Sequence, residues 1–285
     1  MLFSKRIKQT FVVLILATFS LATLANGAKP AFWKVEHNGT TSYMLGSIHV
    51  GDSKWYPLSK EIMDGFAQSK QLVIEADATD PVQTMAMQQQ MMLPKGQTLK
   101  TTLSPATYQK LSAYFAEKGI PMASIEQLKP WAASTVISLL PYLKAKLAPQ
   151  YGVDPLFIAR AKMKNMPLIE LETMQFQIDM LARTFSDEKM LLELLELPDS
   201  EVLKLIDLWK TGDIAGLDEL LTAQMTPTQY DEMLVKRNKN WVAPLSKIFD
   251  GKTQTFVVVG AAHMAGEFGM PTLLKKAGYK VTRVQ

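Results

Sequence analysis

The stretch Gln254 to Gly260, QTFVVVG, constrains the fold most: it is a short apolar, largely β-branched run with no polar alternation. A strand of this kind has both faces covered, as inside a parallel or mixed sheet flanked by helices. The other end of the chain supplies strands to pair with it. Phe32 to Val50 (FWKVEHNGTTSYMLGSIHV) reads as a hairpin turning at His37-Asn38-Gly39, with Ser42 to His49 as its second strand. Leu58, Ile62, Met63 and Phe66, following Pro57, form an amphipathic helical pattern, and Gln71 to Asp77 (QLVIEAD) is a further strand. This β-α-β order asks for mostly parallel pairing.

Between these β-rich ends the period is helical. From Thr79 to about Asn165 there is a start signal at Ser104-Pro105 and a stop near Gly119, followed by Pro121. Pro167 to Leu171 (PLIEL) is a short strand, and helices are expected over Met174–Thr184, Asp187–Leu197, Ser200–Lys210 and Thr226–Phe249, several opened by Ser, Thr or Asp. A helical turn at Thr272–Ala277 and a strand at Tyr279–Val284 close the chain. With no linker and no repeat, the expectation is one α/β domain over residues 29–285, with a mixed, mostly parallel sheet and a helical insertion at about 79–250.

Residues 1–28 read as a signal peptide. Lys5, Arg6 and Lys8 precede the apolar run FVVLILATFSLATL, which is short for a bilayer span, and small residues between Ala25 and Ala28 offer cleavage sites. The expected compartment is the periplasm or the medium, the alternative being an uncleaved anchor in the inner membrane. Once cleaved, the chain has no further span. The leader carries three of the 31 Lys and Arg and none of the 27 Asp and Glu, so the remainder is near neutral, at 28 against 27. Nucleic acid and anionic lipid are thus unsupported as partners; a peptide, protein or small molecule fits. An exported chain with no cysteine has no disulfides and depends on an ordinary core.

Two of the three histidines stand in matched settings. Leu45-Gly46-Ser47-Ile48-His49 ends one apolar strand and Val259-Gly260-Ala261-Ala262-His263 ends another. Ligands of open α/β sheets bind in the crevice beyond the carboxyl ends of the strands, so both imidazoles are expected at one site. Two histidines either ligate a divalent metal or work as acid and base. Glu75 is the leading carboxylate, since a charge in the apolar strand LVIEAD needs a partner; a structural ion pair with an arginine is the other reading. Glu170 and Glu172 share a strand face, and Glu172 serves either the site or the start of the next helix. Arg237 and Asn238 lie in a long helical stretch, where the arginine either clamps a carboxylate or oxyanion or sits on a solvated face.

These pieces resemble the TraB/GumN family, which includes the animal Tiki proteins and the pheromone-shutdown protein PrgY. The similarity is carried in order by YMLGSIHVG, LVIEAD, YGVD, PLIELETMQFQ, the pair Arg237-Asn238, and VVVGAAHMAGEFGMPTLLKKAGYKVTRV. It implies an α/β fold of two related halves, each giving a Gly-x-x-His end to a shared cleft, and a metal-dependent hydrolase with peptide bonds as the substrate. Carried over by position, His49 and His263 are the paired histidines, Gly46 and Gly260 the motif glycines, Glu75 the acidic residue and Arg237 the basic one. The threonine common after the first glycine is Ser47 here, and the second motif has Ala261-Ala262. His37 belongs to the turn.

The working expectation is a divalent ion (Zn, Mn, Co or Fe) held by His49, His263 and Glu75, with Glu75 or Glu172 taking a proton from water and Arg237 facing the oxyanion. The helix motif HExxH is absent. Two rivals remain: a non-catalytic receptor for a peptide, small ligand or haem, and a Cu(I) carrier built on Met85 to Met92. The methionine stretch also reads as adaptable packing or a mobile cover.

Overall fold

The computed structural model describes residues 27–285; the leader reading therefore lies outside the described residues except for Gly27 and Ala28, of which Ala28 is buried in the core. Among the described residues six strands form one mixed sheet: β1 (Phe32–His37), β2 (Thr40–Ser47), β3 (Gln71–Ile74), β4 (Leu168–Glu170), β5 (Thr255–Gly260) and β6 (Lys280–Arg283). Their spatial order is β4-β3-β5-β2-β1-β6. Contacts of β2 with β5, β5 with β3 and β3 with β4 are parallel, whereas β1 pairs antiparallel with β2 and β6. The architecture is α/β, as the apolar β5 requires.

The hairpin turn is Asn38-Gly39, with φ of 48° and 77°, the left-handed pair that joins two strands through two residues. His37 is accordingly the last residue of β1, opposite Thr40, and is not part of the turn itself.

The central strand is not the hairpin's sequence neighbour. β5, from the far end of the chain, slots between β2 and β3, and Ser47 of β2 stands opposite Gly260 while Ile74 of β3 stands opposite Val258. Three parallel strands remote in sequence therefore end side by side. Side chains of β5 alternate, with Phe256 and Val258 packing among Phe66, Phe157 and Trp209 on one face, and Val257 and Val259 among Trp241, Leu245 and Phe249 on the other. At about 1.5–3 kcal/mol for each large apolar side chain removed from water, this double burial fixes the register, because a slip of one residue would exchange the faces.

The intervening helices build a separate apolar cluster around Leu99, Phe115, Ile137 and Leu191. The exposed helix Pro81–Met91 is capped by Asp80, whose carboxylate accepts the Val82 and Gln83 N–H groups. Its methionines divide: Met87 and Met91 pack inward near Trp131, Met174 and Ile178, while Met85 points to solvent. The thioethers thus do not gather on one face, as packing would have it and as a soft-metal cluster would not. No helix among the described residues is long and apolar enough to cross a membrane.

Candidate functional site

The ends of β2 and β3 open on a cleft of about 840 Å³, whose polar lining includes His49, Glu75, Asp154 and Gln177, with Gly260 and the buried His263 of the neighbouring β5 end behind Glu75. This volume is within the usual range for ligand sites. The three strand ends bring their site residues to one place. A Cβ built on Gly260 would lie 3.3 Å from Glu75 Oε1, 3.6 Å from His263 Cδ2 and 3.9 Å from His49 Nε2. Gly260 is therefore the floor of the site, and its own N–H donates to Glu75 Oε1 at 2.7 Å. Gly46 has a different use: a Cβ there would press to 3.2 Å against Ala261, so its absence lets the turn after β5 close over β2.

His49 is on the cleft side, with 71% of its side chain exposed. Its Nδ1 is 3.0 Å from Asp154 Oδ2, and Asp154 Oδ1 accepts from Ser47 Oγ at 2.7 Å. The ring is thus held by one nitrogen and offers Nε2 to the cleft. The Asp154 carboxylate raises the pKa of His49, to about 9. Asp154 ends the YGVD piece of the resemblance, but the sequence reading gave it no role in the site. It sits in the first turn of the helix Val153–Met163, where an acid ordinarily complements the helix dipole, and that is a sufficient local explanation for it.

His263 is the buried member. Its Nδ1 meets Asn238 Oδ1 at 2.7 Å, and Asn238 Nδ2 donates to the carbonyls of His263 and Phe268. Its Nε2 is 3.0 Å from Arg237 Nη1. Since a guanidinium can only donate, Nε2 is the accepting nitrogen and Nδ1 carries the proton. Burial pushes the His263 pKa down, to about 3, so the ring stays neutral. Trp241 packs on it with ring centroids 4.3 Å apart.

Arg237, Asn238 and Trp241 share one buried face of the helix Lys236–Phe249, directly after a π-helical turn at Asp231–Val235. Such turns are frequent at functional sites; here the Met233 carbonyl accepts from Arg237 Nη1 at 3.1 Å. The arginine is 5% exposed, which removes the solvated-face reading. Its remaining N–H groups bind Glu172 through Nε and Nη2, both at 2.8 Å, and Glu75 Oε2 through Nη2 at 2.6 Å. All five donors are thereby used, leaving none for a direct oxyanion contact in this arrangement.

Glu172 is equally committed: Oε1 accepts from Arg237 and Trp241, and Oε2 from Arg237 and Gln177. It does not cap the next helix, whose first turn is capped by Thr173. Glu170 goes elsewhere, accepting the Asp77 N–H. Glu75 differs from both because Oε1 has only the Gly260 partner and stands 3.8 Å from His263 Nε2. Burial works to raise the Glu75 pKa, but His263, Arg237, His49 and the Gly260 N–H together pull it down to about 2. An anion so stabilised is a poor base and a persistent negative charge.

The atoms that a divalent cation would use are His49 Nε2, which must first lose the proton that Asp154 helps it keep, His263 Nε2, which must give up its Arg237 hydrogen bond, and Glu75 Oε1. Each imidazole has Nδ1 anchored to a side-chain oxygen, the arrangement that orients metal-binding histidines, and the set suits first-row cations. Among the described residues no three His, Cys, Asp or Glu side chains gather closely enough as they stand to hold an ion. Arg237 Nη1 occupies the His263 lone pair, so a cation at that atom must displace this one hydrogen bond.

The buried charges make stability depend on pH. His263 and Glu75 both have folded-state pKa values below their ordinary values of 6.5 and 4.5, so the unfolded chain binds more protons and acid destabilises the fold. In chelator-treated protein, urea unfolding should show stability falling from about pH 6.5 downward, first through His263 and then, between about 4.5 and 2, through Glu75. On these values His263 contributes roughly 5 kcal/mol and Glu75 roughly 3 kcal/mol. A flat profile from pH 7 to 4 would show that His263 is not held neutral.

The TraB/PrgY/gumN family matches residues 31–283. The chain is 26% identical over 251 residues to the uncharacterized protein YbaP of Shigella flexneri, an alignment covering 82% of this chain and 88% of that one. Against YbaP of Escherichia coli (strain K12) the identity is 26% over 250 residues, covering 82% and 87%. An uncharacterized protein of Treponema pallidum (strain Nichols) is 25% identical over 183 residues, covering 60% and 54%. No solved structure matches. With nearly every described residue inside the family match, the chain belongs to the TraB/PrgY/gumN family.

Proposed function

We propose that this chain is an exported, metal-dependent hydrolase of peptide bonds, acting in the periplasm or outside the cell at the polar end of the cleft. The observation that carries the reading is the convergence of His49 Nε2, Glu75 Oε1 and the His263 ring on the space beside Gly260, from three strands remote in sequence. A divalent cation would be held by His49, His263 and Glu75, and when bound would polarise the scissile carbonyl and make water a better nucleophile.

The protein's own groups divide the remaining work. Asp154 and Asn238 fix the two rings and leave Nε2 inward. Arg237 and Gln177 hold the second oxygen of Glu75, which keeps that carboxylate ionised and pointed. Glu172 completes the charge of Arg237, so both are positioning residues in this reading, and the proton-accepting role considered for Glu172 falls away. Removing an orienting group of this kind weakens metal affinity by about 10- to 100-fold. Asp154→Asn should therefore lower affinity in a metal titration by that amount, whereas an unchanged affinity would take Asp154 out of the site.

The activity itself is tested with the mature chain, stripped by chelator and given Zn, Mn, Co or Fe separately, on a mixed peptide library read by mass spectrometry. Cleavage that disappears with chelator and returns with at least one metal is expected. No cleavage under any of these conditions would end the hydrolase reading.

A further inference from the structure

Beyond its polar end the cleft changes character. Met87, Met174, Tyr151, Leu156 and Ala159 line its mainly apolar part, the arm, while the charged groups on its wall are His49, Glu75 and Asp154. The walls come from different elements: Met87 from the helix Pro81–Met91, Met174 from the helix Met174–Thr184, and Leu156 and Ala159 from the helix Val153–Met163. That last helix also carries Asp154, so the arm and the histidine it begins beside are set by one rigid element.

We propose that this arm is a specificity subsite for a large uncharged apolar group of the ligand, such as an aromatic or branched aliphatic side chain next to the bond that is broken. The inference rests on the cleft being the reaction centre, and it deepens that reading. A charged side chain entering the arm would lose its hydration without finding a free counter-ion, since the charges around it are already paired: Glu75 with Arg237, Asp154 with Ser47 and His49, and Lys162, which reaches Thr79 on the cleft wall, with Asp77. An apolar group loses nothing and gains contact. Met87 and Met174 are flexible, polarisable walls that adapt to several apolar shapes, so the subsite selects for class and size and not for one side chain.

Ala159 offers the means of testing this, because it is exposed on the helix and lines the arm without supporting the core. Binding is measured by saturation-transfer NMR on the full mature chain with N-acetyl amides of Phe, Leu, Lys and Asp, and turnover of peptides carrying the same residues is measured separately. Wild type should bind the Phe and Leu probes at least about 10-fold more tightly than the charged ones. Ala159→Trp, which fills the arm, should weaken Phe binding by at least about 10-fold, and Ala159→Glu should reverse the preference in favour of Lys. Equal binding of all four probes, or Phe binding untouched by Ala159→Trp in a protein with unchanged melting, overturns the subsite. Peptide turnover without apolar preference defeats the subsite and leaves the hydrolase standing; apolar binding without turnover of any peptide supports the subsite and removes the hydrolase.

Discussion

Arg237→Met is expected to lower the free energy of unfolding by about 3–5 kcal/mol, because it leaves two buried carboxylates without their cation. Glu75 and Glu172 both lie within 2.8 Å of Arg237 Nη2, and all three side chains are nearly inaccessible to water. Methionine matches the bulk of the arginine but gives no N–H to either acid, to His263 or to the Met233 carbonyl. The companion that isolates charge from shape is the triple substitution of Arg237→Met with Glu75→Gln and Glu172→Gln. Removing the whole ionic set should recover a large part of the loss, since the penalty comes from unpaired charge. Urea unfolding of the single and triple variants decides the matter. A single variant within about 1 kcal/mol of wild type would mean that the buried triad does not hold the site together.

His49→Ala should behave in the opposite way. The ring is largely exposed and its one fixed contact, the screened pair with Asp154, is of the kind that contributes up to about 1 kcal/mol, so its removal should leave stability within about 1 kcal/mol. Activity on a cleaved peptide, however, should fall on the order of 10²- to 10³-fold, the loss typical of a group that stabilises developing charge. On the proposed reading, a buried frame carries stability and an exposed imidazole carries the chemistry. A variant with normal turnover would remove His49 from the reaction; one that fails to fold would contradict its exposure.

Much of this arrangement is legible in the residues. The unalternating run in β5, the Asn38-Gly39 hairpin and the two Gly-x-x-His ends follow from local pattern, because burial on two faces, a left-handed turn and a close backbone approach each demand particular residues. Glu75 is visible as an acid in an apolar strand. What local pattern does not contain is the insertion of β5 between β2 and β3, a pairing across 184 residues between Gln71 and Thr255. That pairing determines which strand ends meet.

The same limit explains the residues whose roles stay open or unassigned in the sequence. Arg237 is compatible with a solvated helix face until its helix is packed against the sheet, and the π-helical turn before it has no distinctive composition. Glu172 precedes a helix and so resembles a cap, yet Thr173 takes that role and frees the carboxylate for Arg237. Asp154 resembles a dipole-complementing acid for the same reason. In each case a nearby helix terminus supplies a sufficient local explanation, and only the tertiary fold supplies the other one.

The histidine count makes the central claim directly measurable. The chain has three histidines, and His37, paired with Asp250 at the end of β1, is an internal control. With the protein labelled at histidine with ¹⁵N, Co²⁺ is added stepwise and the imidazole resonances are followed. If the two rings share a cation, His49 and His263 broaden together at the same cobalt concentration while His37 is unchanged. Loss of only one of the two signals, or a response confined to His37, would contradict a shared cation site.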